Sequence, residues 1–491
     1  MSRRIPVMAF GRRTAAVLSV LALSLLPACS KSGGGGDGGA RQALTHWNHI
    51  CIDASGLDHT PVQPGEPRIF GEQVGPCRSA RAVAIVQIAV FDAMNAILGG
   101  YESFTNQPRV LRDTSLAAAI GQAAHDTMIE LWPSQAGSCD DHLTHDLASI
   151  PESPAKTRGI EVGRRAAAAI LTLRRNDGSA HREPRYGIEY VAGLEPGVWR
   201  QDPISQHPLA LGAFWGEKVR PFVMTSASQF RTPPPPAMTG NEYTVAYNEA
   251  KVLGGDGVVT PTARTEEQTF IGTYWAYDGT PSLCAPPRLY NQIAVQIAEQ
   301  MRLGALEMAR LLALANTAMA DAGLAIWESK YHWKFWRPVA GIRESDPGTG
   351  PTGLGDGNPN TIGDPNYTPL GAPASNLSGP NFTPPFPAYP SGHAGFGGAL
   401  FQTLRRFFGR DDIRFTFVSD EFNGRTRDNQ GRIRPYRPRT FTTFSQAEEE
   451  NGQSRIYLGI HWSFDKTEGI TQGRLVADQV FDTTFRPQSS N

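Results

Sequence analysis

Net charge, cysteine and alternating apolar pattern are all scarce in this chain of 491 residues. Its 46 Lys and Arg against 47 Asp and Glu leave a net charge of −1. The first 28 residues hold four Arg and no acid, so the remainder carries 42 basic against 47 acidic residues, a net −5. That balance excludes a basic field for nucleic acid or an anionic membrane surface. The five Cys sit at none of the spacings of a metal site. Runs of period two are few, so little sheet is expected. The apolar run Ala80–Leu98 is interrupted by Gln87, Asp92 and Asn95, which lipid would not tolerate, and it reads as a buried core helix.

What is abundant is Gly, with 51, and Pro, with 38, which implies long ordered loops between elements. The length allows one large core or two medium ones. Leu116–Trp132, Ala155–Arg175 and Leu289–Lys334 show helical periodicity, the last long enough for two helices with a break near Gly304 or Gly323. Pro233–Pro236 cannot be helical and marks a boundary between an N-terminal helical region, 41–236, and a C-terminal one, 237–485. Ser345–Pro390 is a long stretch rich in Gly, Pro, Asn and Thr, expected to form an ordered wall of a functional site.

Residues 1–28 read as an export signal, with Arg3, Arg4, Arg12 and Arg13 ahead of an apolar stretch, Ala15–Leu26, too short to span a bilayer. Arg12-Arg13 hints at a twin-arginine route. Leu26-Pro27-Ala28-Cys29 resembles a lipobox, with Cys29 as the lipidated first residue and the Gly-rich 29–40 as a flexible tether. The expected location is periplasmic, cell-surface or secreted, with membrane contact only through the lipid. The four remaining Cys, Cys51, Cys77, Cys139 and Cys284, suit two disulfides in an exported protein, with three pairings possible.

Three short blocks carry the chemistry. Lys330 and Arg337 are seven residues apart, nearly two helical turns, and Pro338 is expected to end that helix. Pro390-Ser391-Gly392-His393 precedes an amphipathic helix marked by Phe396, Leu400, Leu404 and Phe407 and ended by Gly409, so His393 lies at a helix N-terminus, where free amides favour anions. Ser454-Arg455 and His461 form the third block, and Asp465, four residues on, is placed to hold the imidazole in one tautomer. Arg455 and His461 are six apart, off one helical face, so a bend or a helix end must bring them together. One Lys, two Arg, a Ser-Gly turn and two His suit a tetrahedral oxyanion. His142, His145 and His332 are read as outside this set.

These blocks resemble the signature shared by the vanadium haloperoxidases and the type 2 phosphatidic acid phosphatases. The resemblance to the haloperoxidases runs from about Trp47 to Asp478. Trp275-Ala276-Tyr277-Asp278-Gly279 looks like a family segment whose Asp supports an arginine of the site, which implies a pairing of Asp278 with Arg455. Phe386 to His393 is similar to the chloroperoxidase version of the site, and Trp327 resembles the residue lining its halide pocket. The resemblance implies a nearly all-α fold of two helical bundles with the site in the C-terminal one. It implies vanadate as cofactor, with His461 binding vanadium and Lys330, Arg337, Arg455, Ser391 and the Gly392 amide holding its oxygens. His393 would move protons when hydrogen peroxide binds. The implied partners are hydrogen peroxide, a halide (chloride, bromide or iodide) and a small organic acceptor. Two other readings stand beside this one. A secreted acid phosphatase would use His461 as nucleophile and His393 as acid. A non-catalytic surface-anchored binding protein would be expected to have lost one of the five charged site residues, and all are present.

Overall fold

The computed structural model describes residues 35–488; the expected signal and Cys29 lie outside them. The helices are α1 Gly35–Asp58, α2 Pro76–Leu98, α3 Leu116–Leu131, α4 Ala136–Ser149, α5 Pro154–Arg174, α6 Trp215–Lys218 and α7 Asn241–Gly254. They continue with α8 Glu266–Tyr274, α9 Pro286–Gln300, α10 Ala305–Trp333, α11 Pro338–Arg343, α12 Gly392–Phe408, α13 Phe444–Tyr457 and α14 Ser463–Thr483. The only sheet among the described residues is an antiparallel ribbon of β1, Phe415–Phe417, and β2, Arg439–Phe441, with Phe415 opposite Phe441. The fold is therefore helical, as the scarcity of alternating runs implied.

Among the described residues two helices are apolar enough to cross a membrane by length and composition, α2 and α10, and their apolar windows are 89% and 100% buried inside the protein. Polar side chains of α2 find partners there: Gln87 Nε2 donates to Asn48 at 2.9 Å, Asp92 accepts from the amides of Phe104 and Thr105 at 2.8 Å each, and Asn95 donates to the Tyr101 carbonyl at 2.8 Å. Each bond offsets the desolvation that a lone buried polar group would suffer. In α10 Asp321 accepts from three successive amides, Phe222, Val223 and Met224, and so fixes the loop after α6 to the central helix. The break between α9 and α10 falls at residues 301–304, beside Gly304; Gly323 instead lies mid-helix, where a Cβ would meet the Phe396 ring at 3.2 Å.

Some expectations change. The described residues from Gly36 onward form one compact unit, in which α2 packs along α10. The tether expected over 29–40 is helical from Gly35, and Asp37 accepts from the Ala305 amide at 2.9 Å, capping α10. That tertiary contact outweighs the poor helix propensity of glycine. The two disulfides are absent: Cys51, Cys77, Cys139 and Cys284 are free and buried. Their sulfurs act as small core groups with other partners, Cys77 toward the Gly323 carbonyl at 3.7 Å and Cys284 toward the Ser55 hydroxyl at 3.1 Å.

The C-terminal helices approach through small residues. A Cβ on Gly473 of α14 would lie 2.0 Å from the Gly395 carbonyl of α12. Around Gly137 of α4, by contrast, nothing lies within 4 Å. Gly473→Ala is therefore expected to destabilise by about 1–3 kcal/mol through overpacking, while Gly137→Ala should be neutral or slightly stabilising. Denaturant midpoints of the two variants check the contrast.

Candidate active site

The termini of α10, α11, α12, α13 and α14 supply the three blocks, and each terminus has a local cause. Helix α10 stops at Trp333 because Lys334 turns left-handed, φ 52°, with its amide on the Lys330 carbonyl. Arg337 then lies in an extended link, as a residue before proline prefers, and Pro338 opens α11 at its first position. The expectation that Pro338 ends the Lys330 helix is thus corrected: it begins the next one, and Arg337 reaches the site from the linker. Ser391 caps α12, accepting from the Ala394 amide at 3.4 Å, which leaves its hydroxyl hydrogen and the first-turn amide of Gly392 for another partner. Arg455 sits in the last turn of α13. Gly459, at φ 69°, reverses the chain where a Cβ would lie 2.5 Å from the Gly254 carbonyl, and His461 follows just ahead of α14. That turn is how residues six apart meet.

All five charged or titratable site residues are buried: Lys330 and Arg455 at 0% exposure, Arg337 at 1%, His461 at 2% and His393 at 6%. Asp465 accepts from His461 Nδ1 at 2.7 Å and from the Trp462 amide at 3.1 Å. Arg337 Nη1 donates to His461 Nε2 at 2.8 Å, which assigns the tautomer: Nδ1 carries the hydrogen and Nε2 offers a lone pair to the site. Asp278 accepts from Arg455 Nη2 at 2.6 Å, the pairing the sequence resemblance implied. His393 Nε2 donates to the Ala276 carbonyl and lies 3.9 Å from Asp278. Lys330 spends its hydrogens on the carbonyls of Pro387, Ala388 and Pro390 (2.7 and 2.8 Å for the first two), fixing the segment that carries Ser391. Trp327 and Phe386 pack together at 4.9 Å between centroids, and the Lys330 ammonium lies 5.3 Å from the Phe386 ring.

Burial and mutual repulsion set the charge states. Lys330 is pulled well below its usual range by burial and then by Arg337, and Arg337 is pulled down to about 9 by burial. His461 is held well below an ordinary imidazole by burial, Arg337 and Lys330; His393 is held down by burial and Arg455. Burial pushes Asp465 up to about 7, against Lys330 and Arg337, and raises Asp278, against Arg455 and Arg337. The decisive geometry is what is left over. Arg337 Nη2 and Arg455 Nε and Nη1 are buried without an acceptor. Native proteins satisfy such groups, above all charged ones. Three cationic N–H directions, a free hydroxyl hydrogen and a helix N-terminus therefore fit a multi-oxygen anion, with His461 Nε2 as the one ligand atom facing it.

Every site residue expected from sequence falls in this cluster, with Trp327 and Phe386 on its wall; Cys29 lies outside the described residues. His332 is exposed on another face of α10, as expected. Not foreseen were the Ala276 carbonyl, the Leu211 carbonyl that accepts from Trp327 at 3.0 Å, and a buried clamp on the His393 carbonyl by Tyr290 at 2.8 Å and Asn451 at 2.9 Å. Backbone acceptors carry no sequence signal. A cavity of about 600 Å³ opens from His393, Arg455 and His461. The expected wall, 345–390, supplies Leu377, Pro384 and Phe386, but loops around His59, Phe70 and Leu209 supply the other side.

A family model described as the second helical-bundle domain of VCPO matches residues 310–489, which hold all three blocks. The vanadium chloroperoxidase of Curvularia inaequalis is 30% identical over 503 residues, covering 86% of this chain and 78% of that one. In fold the chain is similar to a bacterial vanadium-dependent iodoperoxidase, with a TM-score of 0.70 at 22% identity over 92% of this chain and 98% of that one. It is also similar to an apo bacterial vanadium-dependent chloroperoxidase, with a TM-score of 0.60 at 17% identity over 83% of this chain and 94% of that one.

A bound tetrahedral oxyanion should stabilise the fold. Orthovanadate or phosphate at a hundred times its dissociation constant is expected to add about 2.7 kcal/mol, read as a rise in the unfolding midpoint that Arg455→Ala abolishes. The pH dependence has two opposed parts. Both imidazoles are depressed in the folded state, so each makes anion-free protein lose stability as pH falls below about 6.5, whereas Asp465, raised to about 7, takes up a proton on folding and offsets one of them over the same range; the net loss is the imidazoles' excess. The slope is up to about 1.4 kcal/mol per pH unit for each imidazole. Denaturation series between pH 5 and 8 should show it.

Proposed function

Because the chain belongs to the vanadium haloperoxidase family, we propose that it holds vanadate in this cradle and uses hydrogen peroxide to oxidise a halide to a hypohalous acid equivalent. The observation that carries the reading is the set of partnerless guanidinium hydrogens on Arg337 and Arg455 around the His461 Nε2 lone pair. Vanadate, when bound, supplies a Lewis acid that polarises peroxide for attack by halide, with no redox change at the metal.

The chain's own residues do the rest. Asp465 keeps the hydrogen of His461 on Nδ1, so Nε2, which here accepts from Arg337 Nη1, would be the atom to hold vanadium. Arg337 and Arg455 hold the oxygens with forked donors, and Asp278 aims Arg455. The Ser391 hydroxyl and the Gly392 amide complete the cradle. Lys330 acts in two ways. It fixes 387–390 through its carbonyl bonds, and its buried charge favours negative charge developing nearby. His393, neutral and on the cavity side, takes a proton from incoming peroxide and returns it to the departing product. Trp327 and Phe386 exclude water beside the reacting oxygens. The signal read at residues 1–28 supports a place for this chemistry outside the cytoplasm.

A paired assay tests the function. Protein given orthovanadate, peroxide and bromide should halogenate a phenol-type dye, and phosphate should block it. Ester hydrolysis inhibited by vanadate, without halogenation, would assign the site to acid phosphatase chemistry instead. His393→Ala is expected to slow halogenation by about 10²–10⁴-fold. His461→Ala should abolish it.

A further inference from the structure

The reactants named so far are far too small for the space beside them. Vanadate, peroxide and halide need little more than a few water volumes, about 30 Å³ each, whereas the cavity measures about 600 Å³, the size of an organic ligand site. Its walls are apolar and partly aromatic, with Trp327, Phe386, Phe396 and Pro384 near the cradle and Phe70 and Leu377 toward the outside, 51% and 39% exposed. Such walls do nothing for a halide ion and retain an apolar molecule. The polar groups at the cavity's inner end, Asp278, His393, Arg455 and His461, belong to the cradle, so the rest of the lining offers an organic molecule chiefly apolar contact.

We propose that this cavity binds the organic acceptor, an electron-rich aromatic, and that halogenation takes place inside it. The inference rests on the halide-oxidising function proposed above. Peroxide oxidises the halide by two electrons and yields hypohalous acid at the cradle. The ring carbon then forms the carbon–halogen bond as the oxygen–halogen bond breaks. The proton lost from that carbon joins the released hydroxide, and water leaves. The packed aromatic wall of Trp327, Phe386 and Phe396 holds the ring next to the cradle.

The test is a partition experiment on vanadate-loaded protein with bromide and peroxide. Free phenol competes with phenol attached to a large dextran, and the product ratio is compared with that from added hypobromite. Reaction in the cavity favours free phenol by roughly tenfold or more over the reagent ratio, and Leu377→Trp, which fills the outer cavity, returns the ratio toward the reagent value. Phe70→Asp, at an exposed position, provides a second variant with the same expected direction. Calorimetry with 4-bromophenol in the absence of peroxide should show binding that both variants weaken. A wild-type ratio equal to that of added hypobromite overturns the inference. Iodide oxidation to triiodide without any acceptor is measured in parallel on the wild type: its absence overturns the functional reading and the inference with it, while its presence with an unselective ratio overturns the inference alone.

Discussion

Lys330, Arg337 and Arg455 are buried together at one end of a helical bundle, and the two nearby carboxylates are already engaged. Asp278 is bound to Arg455 and Asp465 to His461, so the pocket holds more positive charge than its own acids neutralise. Taking a cation out of water costs several kcal/mol unless something replaces the lost hydration. Here much of the replacement is local: carbonyls take every hydrogen of Lys330 and two of the donors of Arg337. What remains unpaired is three guanidinium nitrogens, Arg337 Nη2 and Arg455 Nε and Nη1, beside one oxygen each of Asp278 and Asp465. The neutral state of both imidazoles follows from burial and that charge imbalance together, the raised acids from burial against it, and the need for an anion from the imbalance itself.

The rest of the architecture exists to keep these groups in place. Each site residue lies at or beside a helix end, where the backbone direction changes and amides or carbonyls are free. The ends can converge only because the helices behind them pack closely, through Gly395 and Gly473 between α12 and α14 and through the buried length of α10. The cavity is then assembled from loops on both sides of this centre, with the 345–390 segment facing the loops around Phe70 and Leu209.

How much of this is legible in the sequence depends on the kind of contact. Side chains acting through their own chemistry at short spacing are readable: Lys330, Arg337, Ser391, His393, Arg455 and His461, with Asp465 as support, while Asp278 comes only from the family resemblance. Helix existence is readable from periodicity, and the break before α10 is narrowed to Gly304 or Gly323. Pro338 misleads because proline is equally at home after one helix and at the start of another; only the left-handed Lys334 decides. The Ala276 and Leu211 carbonyls are invisible because every residue has one. The free cysteines mislead because an even count says nothing of where core packing sends each sulfur. The far cavity wall stays hidden because loop residues distant in sequence share no period.

If the leftover donors surround an oxyanion whose metal is bound by His461 Nε2, the metal's own surroundings must show it. X-ray absorption at the vanadium edge, on protein loaded with one equivalent of orthovanadate, reads those surroundings directly. The expected result is a shell of oxygens with a single imidazole nitrogen, and loss of that nitrogen in His461→Ala while the arginines still retain the anion. A shell of oxygens alone in the wild-type protein would contradict His461 as the ligand and the cradle as a vanadate site.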